Sequence, residues 1–250
     1  MPPVSEKLVG FFMVLMRISA FFVVIPIFGW PSIPARIKVS LTLLLAVFFS
    51  MATPVPLAPK QVSAPETILL LINEGTYGLA LGLIAAILFA AVKFGGRIIE
   101  QEMGLTMAEI LDPLTGEEAQ PLGELLEMMF IIMFLNANGH HLFLLTLSRS
   151  YEAFPAGSIP TIPVLTTGMV RAGSTLLMCG LKLAAPMLAA SMLLMVVLAV
   201  LARLVPEMDI LFISLPLRIG LGLLMVAALL PLFGTFVSEF AELMAKLVPV

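Results

Sequence analysis

Charge is what this sequence has least of. Asp, Glu, Lys and Arg make up 12% of its 250 residues, against about 25% in an ordinary water-soluble domain. Hydrophobic residues make up 60%, and the mean hydropathy is +1.12. So little charge cannot clothe a compact surface in polar groups, which excludes a soluble globular domain. The high hydrophobicity excludes intrinsic disorder. A formal net charge of −3 provides no basic field for nucleic acid. The single cysteine, Cys179, excludes an internal disulfide and a multi-cysteine metal site. The two histidines, His140 and His141, are adjacent and point to different faces of a helix, so a polar helix end is preferred to a shared metal site. There is no G-x-x-x-x-G-K-[ST], H-E-x-x-H or G-x-S-x-G. Asp112 and Asp209 lie at the boundaries of apolar runs, not inside them as an intramembrane protease pair would. No enzyme activity, metal or cofactor is expected.

What is present is long apolar runs, near 8–29, 37–52, 67–92, 122–147, 164–202 and 208–236. A helix crossing a hydrocarbon core of about 30 Å needs roughly 20 such residues, and none of the runs alternates with the period of a transmembrane strand. The expectation is an all-α, multi-helix membrane-type protein with kinked helical hairpins. The second run is short. The fifth contains Pro186, where a kink or break is expected. Arg17 inside the first run and the lack of a small-x-small site before Trp30 make that run a retained helix and not a signal peptide. Trp30, Arg36 and Lys38 read as an interfacial anchor cluster. Six alternating spans would put Lys7, Lys60, Arg149 and Lys246 on one side and Arg36, Lys38, Lys93, Arg97 and Arg203 on the other. That balance sets no orientation.

Charges within or beside the runs are costly, about 2.5–3.5 kcal/mol each at a bilayer centre. Arg171 and Arg218, near run ends, fit snorkelling to the headgroups. Arg17, Glu74 and Lys182 fit buried partners or subunit contacts. Gly78, Gly82 and Ala86 recur at four-residue intervals, a spacing that lets another helix backbone approach closely. Seventeen methionines, clustered at 128–133 and 187–195, suit either ordinary helix packing or a deformable seal around a passing chain.

One segment breaks the pattern. Residues 93–127 hold Glu100, Glu102, Glu109, Asp112, Glu117, Glu118, Glu124 and Glu127, yet keep Met103, Leu105, Met107, Ile110, Leu111 and Leu114. Asp112 before Pro113 suits a helix N-cap, and Thr115 with Glu118 suits a capping box. This mixture favours a connecting loop that packs into something over a solvated acidic loop.

Several ordered segments together resemble the FliR/SctT family of type III export-gate membrane subunits, its flagellar FliR branch more than its injectisome SctT branch. They are Arg17 with PIFGWPSIPAR at 26–36, GGRIIEQEMGLTMAEILDP at 95–113, FLNANGHHLFL at 134–144, ARLVPEMDILFISLPLRIGLG at 202–222 and ALLPLF at 228–233. The resemblance implies a FliP-like part over about 1–165, containing a pore loop at 100–121, and a FliQ-like helical hairpin over about 166–250. It implies assembly with FliP-like and FliQ-like subunits, beside FlhB-like and FlhA-like components, at the flagellar basal body in the bacterial inner membrane. The assembled helices would form a spiral lying largely above the bilayer plane, around a pore for unfolded export substrates. It further implies a plug role for Gly104, Met107, Ile110, Leu111, Asp112 and Pro113. The alternative left by the residues themselves is a small secondary transporter with Glu74, Lys182 and the proline-broken fifth run around a midplane site.

Overall fold

A computed structural model describes residues 4–29, 33–52, 64–105, 121–158, 162–207 and 209–247. The described residues are helical, with no strand among them: α1 (Val4–Val24), α2 (Pro26–Gly29), α3 (Ala35–Ala52), α4 (Ala64–Met103), α5 (Pro121–Asn136), α6 (Gly139–Ala153), α7 (Ile162–Leu204), α8 (Ile210–Leu229), a 3-10 turn (Leu230–Leu232) and α9 (Phe233–Leu247). Among the described residues, four stretches are long and apolar enough to cross a membrane: Lys7–Val24, Pro65–Met103, Leu165–Leu204 and Phe212–Leu229. α5 and α6 form a further, bent pair.

Local chemistry explains the helix ends. Pro26 disfavours helical geometry at Ile25, and the chain bends there between α1 and α2. The run expected over 122–147 is two helices that meet at 75°. Asn138 turns the chain with φ 61°, a left-handed conformation that asparagine tolerates better than most residues. Backbone bonds close the corner from both sides: the Ala137 amide donates to the Met133 carbonyl and the His141 amide to the Asn138 carbonyl, both at 2.9 Å. Of the kink or break expected at Pro186, the break does not occur: the 43-residue α7 continues through it. A proline there deprives the Lys182 carbonyl of its usual donor, but long helical arms on both sides retain their own bonds. α7 ends two residues before Pro206, which cannot continue a helix.

The chain divides into two compact units. The first comprises Met1–Leu88, Asn138–Gly173 and Phe240–Val250; the second comprises Phe89–Ala137 and Ser174–Glu239. Both are woven from segments distant in sequence, and α4 and α7 contribute residues to each.

In the first unit, Val14, Ile18, Phe21, Phe49 and Leu147 are buried, and Phe21 meets Phe143 edge-on with ring centroids 6.3 Å apart. α1 and α4 pack backbone to backbone. Gly75 faces Met16, Gly78 faces Arg17 and Gly82 faces Phe21, so the helices run in the same sense along this seam. A Cβ on Gly82 would come within 2.7 Å of the Phe21 carbonyl oxygen, and one on Gly78 would collide with that of Arg17. Ala86, two turns beyond Gly78, is half-buried.

In the second unit, Phe89 packs edge-on against Phe130 and Phe134 at 5.6 and 5.2 Å. Phe233 and Leu183 are buried in the same unit. Gly95 and Gly180 bring α4 and α7 together: a Cβ on Gly95 would lie 2.9 Å from the Gly180 carbonyl oxygen.

Candidate functional site

Two polar constructions stand out in this apolar chain, one in each unit. The first is centred on Arg17. Its side chain and that of Glu74 are each 1% exposed, and Arg17 Nε donates to Glu74 Oε2 at 2.6 Å. Burying an ion pair is tolerable only when its remaining donors and acceptors are satisfied too. Arg17 Nη1 donates to the carbonyl oxygens of Ser150 at 3.2 Å and Phe154 at 2.9 Å. Glu74 Oε1 accepts the Gly157 amide at 2.7 Å, and Gly157 holds φ 86°, a conformation suited to glycine. The guanidinium carbon lies 4.7 Å from the ring centre of Tyr77 and 4.3 Å from that of Tyr151, adding cation–π attraction in a buried site. The Tyr151 hydroxyl donates to the Val14 carbonyl at 3.3 Å, and Asn73 Nδ2 donates to the Ser158 carbonyl at 3.0 Å.

Arg17 and Glu74 thus pin α1, α4, the end of α6 and the turn at 155–158 to one another. The carboxylate is engaged on both oxygens, and this geometry describes a fastening more than a vacant ion site. Lys182 does not join it. It lies on α7 with its side chain exposed, so the burial expected for it is absent from the isolated chain.

The second construction closes the end of α4. Gly104, at φ 77°, donates its amide to the Gln101 carbonyl at 3.1 Å, and Leu105 donates to the Glu100 carbonyl at 3.2 Å. This is the paired bonding of a Schellman cap, which places glycine at the left-handed position. The Glu100 side chain, buried, then crosses to the start of α5. Its Oε1 accepts the Leu122 and Gly123 amides, the latter at 3.2 Å. A carboxylate at a helix N-terminus satisfies orphan donors and opposes the positive end of the dipole. Gly96 and Gly123 bring the two backbones together: a Cβ on Gly96 would lie 2.7 Å from the Gly123 Cα. Lys93 adds longer contacts to Glu124 and Glu127, at 3.9 and 4.0 Å. Leu215 of α8 sits against Gly104, and Gly222 against Met103.

Glu100 therefore ties residue 100 to residues 122 and 123 across the base of the 106–120 segment. Of the residues expected to form a plug, Gly104 is the stem's C-terminal cap; Met107, Ile110, Leu111, Asp112 and Pro113 lie outside the described residues. The Thr115–Glu118 capping box lies outside them as well. Glu100→Ala should leave two amides without an acceptor and destabilise the stem by about 1–2 kcal/mol. Glu100→Gln, which keeps one carbonyl oxygen, should lose less. Hydrogen exchange at Leu122 and Gly123, followed by mass spectrometry, should be faster in the alanine variant than in the glutamine one. Equal protection in all three proteins would remove this role from Glu100.

His140 and His141 are both exposed at the start of α6, and no group of three metal-ligating side chains occurs among the described residues.

The sequence profile of the family described as "Bacterial export proteins, family 1" matches residues 8–244. The chain belongs to that family. Among curated relatives, the flagellar biosynthetic protein FliR of Escherichia coli (strain K12) is 30% identical over 242 residues, covering 95% of this chain and 92% of its own length. FliR of Bacillus subtilis (strain 168) is 30% identical over 223 residues, 87% of this chain and 84% of that one. FliR of Aquifex aeolicus (strain VF5) is 27% identical over 236 residues, covering 94% and 90%. This member of the export family is thus a membrane-type component of flagellar biosynthesis and export. The similarity covers the chain that carries both the Arg17 fastening and the Glu100 stem.

Proposed function

We propose that this chain is a pore-forming subunit of the flagellar export gate in the bacterial inner membrane. It assembles with FliP-like and FliQ-like subunits, adjoins FlhB-like and FlhA-like components, and passes unfolded flagellar proteins. The dimensions of α7 carry this reading. Its 43 residues make a rod of about 65 Å at 1.5 Å per residue. Even at a tilt of about 40° it would reach about 50 Å, against a hydrocarbon core of roughly 30 Å. Only 28% of an apolar 18-residue stretch within Leu165–Leu204 is buried within the chain, with Val170, Leu177, Met192, Leu193, Val196 and Leu204 all exposed along the helix. Lipid cannot cover an apolar rod of that length, whereas partner subunits can. Lys182, charged and exposed midway along it, is then a contact with one of those partners. α7 and α8 make up most of the FliQ-like part at 166–250; α1 to α6 belong to the FliP-like part at 1–165.

Residues 100–121 supply the pore loop, with apolar side chains at 107–111 excluding water until a chain passes. Glu100 and Gly104 fix where that loop leaves the helices. Nothing in the sequence binds nucleotide, so driving energy comes from elsewhere in the apparatus. Deleting 106–113, between the stem's two anchoring ends, should leave assembly intact and make the inner membrane leaky to small ions. An assembled deletion variant with wild-type ion permeability would refute the plug role.

A further inference from the structure

Met103 is the last residue of α4, yet it is only 1% exposed. Its side chain lies along α8 against Gly222: a Cβ there would fall onto Met103 Cγ, within 2.5 Å of Sδ and 2.9 Å of Cε. Contact along three successive side-chain atoms seats the whole chain, and no swing of its tip would clear a methyl group placed beneath it. Alanine is the better residue for a helix interior, so glycine at 222 answers to the space that Met103 fills. Gly220, two residues earlier on the same helix, shows the contrast. Nothing lies within 4 Å of a Cβ there.

A second contact stands beside the first. Leu215 Cδ1 would lie 3.3 Å from a Cβ on Gly104. Leu215 and Gly222 are seven residues apart and share a face of α8, about 10 Å along its axis. Successive residues at the end of α4 thus reach two turns of one helix face, which opposes both sliding and rotation. One turn earlier on α4, Glu100 accepts the Leu122 and Gly123 amides of α5. The last turn of α4 is therefore held by α5 through Glu100 and by α8 through Met103, all within the second unit.

We propose that Gly222 is a positioning residue, a socket for Met103 through which α8 sets where α4 ends and where the 106–120 segment departs. Methionine suits the socket because its unbranched chain can follow an irregular gap. A shift of α8 would carry the stem with it. The socket rests on this packing alone; its consequence for permeability rests on the pore-loop reading.

The test uses the full chain, co-expressed with FliP-like and FliQ-like subunits and purified in mild detergent. Hydrogen exchange is followed at the Gly104 and Leu105 amides that close α4. Gly222→Ala should speed exchange there several-fold, with unchanged exchange in α6 as the control for general loosening. Gly220→Ala should leave it at the wild-type rate. Met103→Ala, which empties the socket and adds no atom, should also speed exchange, and it decides the question if Gly222→Ala fails to fold. Combining Gly222→Ala with Met103→Ala should give slower exchange than Gly222→Ala alone, since the shorter side chain makes room for the methyl group. Wild-type exchange in Met103→Ala, or equal rates in Gly222→Ala and Gly220→Ala, would overturn the socket. In cells, Gly222→Ala should raise inner-membrane permeability to small ions above that of Gly220→Ala. Faster exchange with wild-type permeability would uphold the socket and contradict the pore-loop reading instead.

Discussion

Arg17→Ala should remove most of the folded chain from the membrane fraction. The substitution leaves Glu74 buried, with one carboxylate oxygen on the Gly157 amide and the other facing the hole left by the guanidinium. Breaking a buried pair from one side typically costs about 3–5 kcal/mol, a large share of the roughly 5–15 kcal/mol that holds a domain together. The Phe154 carbonyl loses its Arg17 donor in the same step, and the Ser150 carbonyl keeps only the Phe154 amide. Glu74→Ala should be comparably damaging, because it strands the arginine between Tyr77 and Tyr151. The double variant Arg17→Met, Glu74→Met should recover part of the loss, since no buried charge remains. Abundance by immunoblot and the melting temperature in detergent give the readout. A single Arg17→Ala variant that melts with the wild type would show that the pair does not fasten the unit.

Gly78→Ala and Gly173→Ala should move stability in opposite directions, although both add one methyl group to a helix. At Gly78 the methyl would be driven into the Arg17 backbone, which cannot swing aside as a side-chain end would. Forcing α1 and α4 apart should cost about 1–3 kcal/mol or more, and it would stretch the Arg17–Glu74 contact as well. At Gly173 nothing lies within 4 Å of the new methyl, so the better helix propensity of alanine should stabilise by about 0.5–1 kcal/mol. A Gly78→Ala variant that melts no lower than the wild type would mean that the α1–α4 seam is looser than its glycines indicate, and a fall for Gly173→Ala would mean that its methyl group is not in open space.

The helices were legible in the sequence because hydropathy reports burial in lipid or protein directly. Their corners were less so. The 122–147 run is uniformly apolar, yet Asn138 bends it, since a left-handed residue alters direction without altering hydropathy. At Pro186, where a kink or break was expected, the helix does not break, because a proline removes one donor, which a 43-residue helix absorbs. Arg17 and Glu74 were singled out as charges too costly to leave alone in apolar runs, but their partnership spans 57 residues and no local pattern encodes it. Lys182 carried the same signal and lies exposed, because composition cannot tell a face covered by the chain itself from one left open. Glu100 was visible only as one acid among eight. Its acceptor role needs amides 22 and 23 residues further on, and nothing near residue 100 announces them. The cage of Tyr77 and Tyr151 around the guanidinium was hidden for the same reason. Gly78 and Gly82 fared better, since their four-residue spacing describes one helix face, although the identity of the facing helix had to come from the structure.

Co-purification tests the central claim most directly. The chain is tagged, co-expressed with FliP-like and FliQ-like subunits, and extracted in mild detergent. A stable complex containing both partners is the predicted result, with the tagged chain aggregating when expressed alone because α7 and α8 lack their cover. A lone, monodisperse chain that leaves both partners behind would contradict the account.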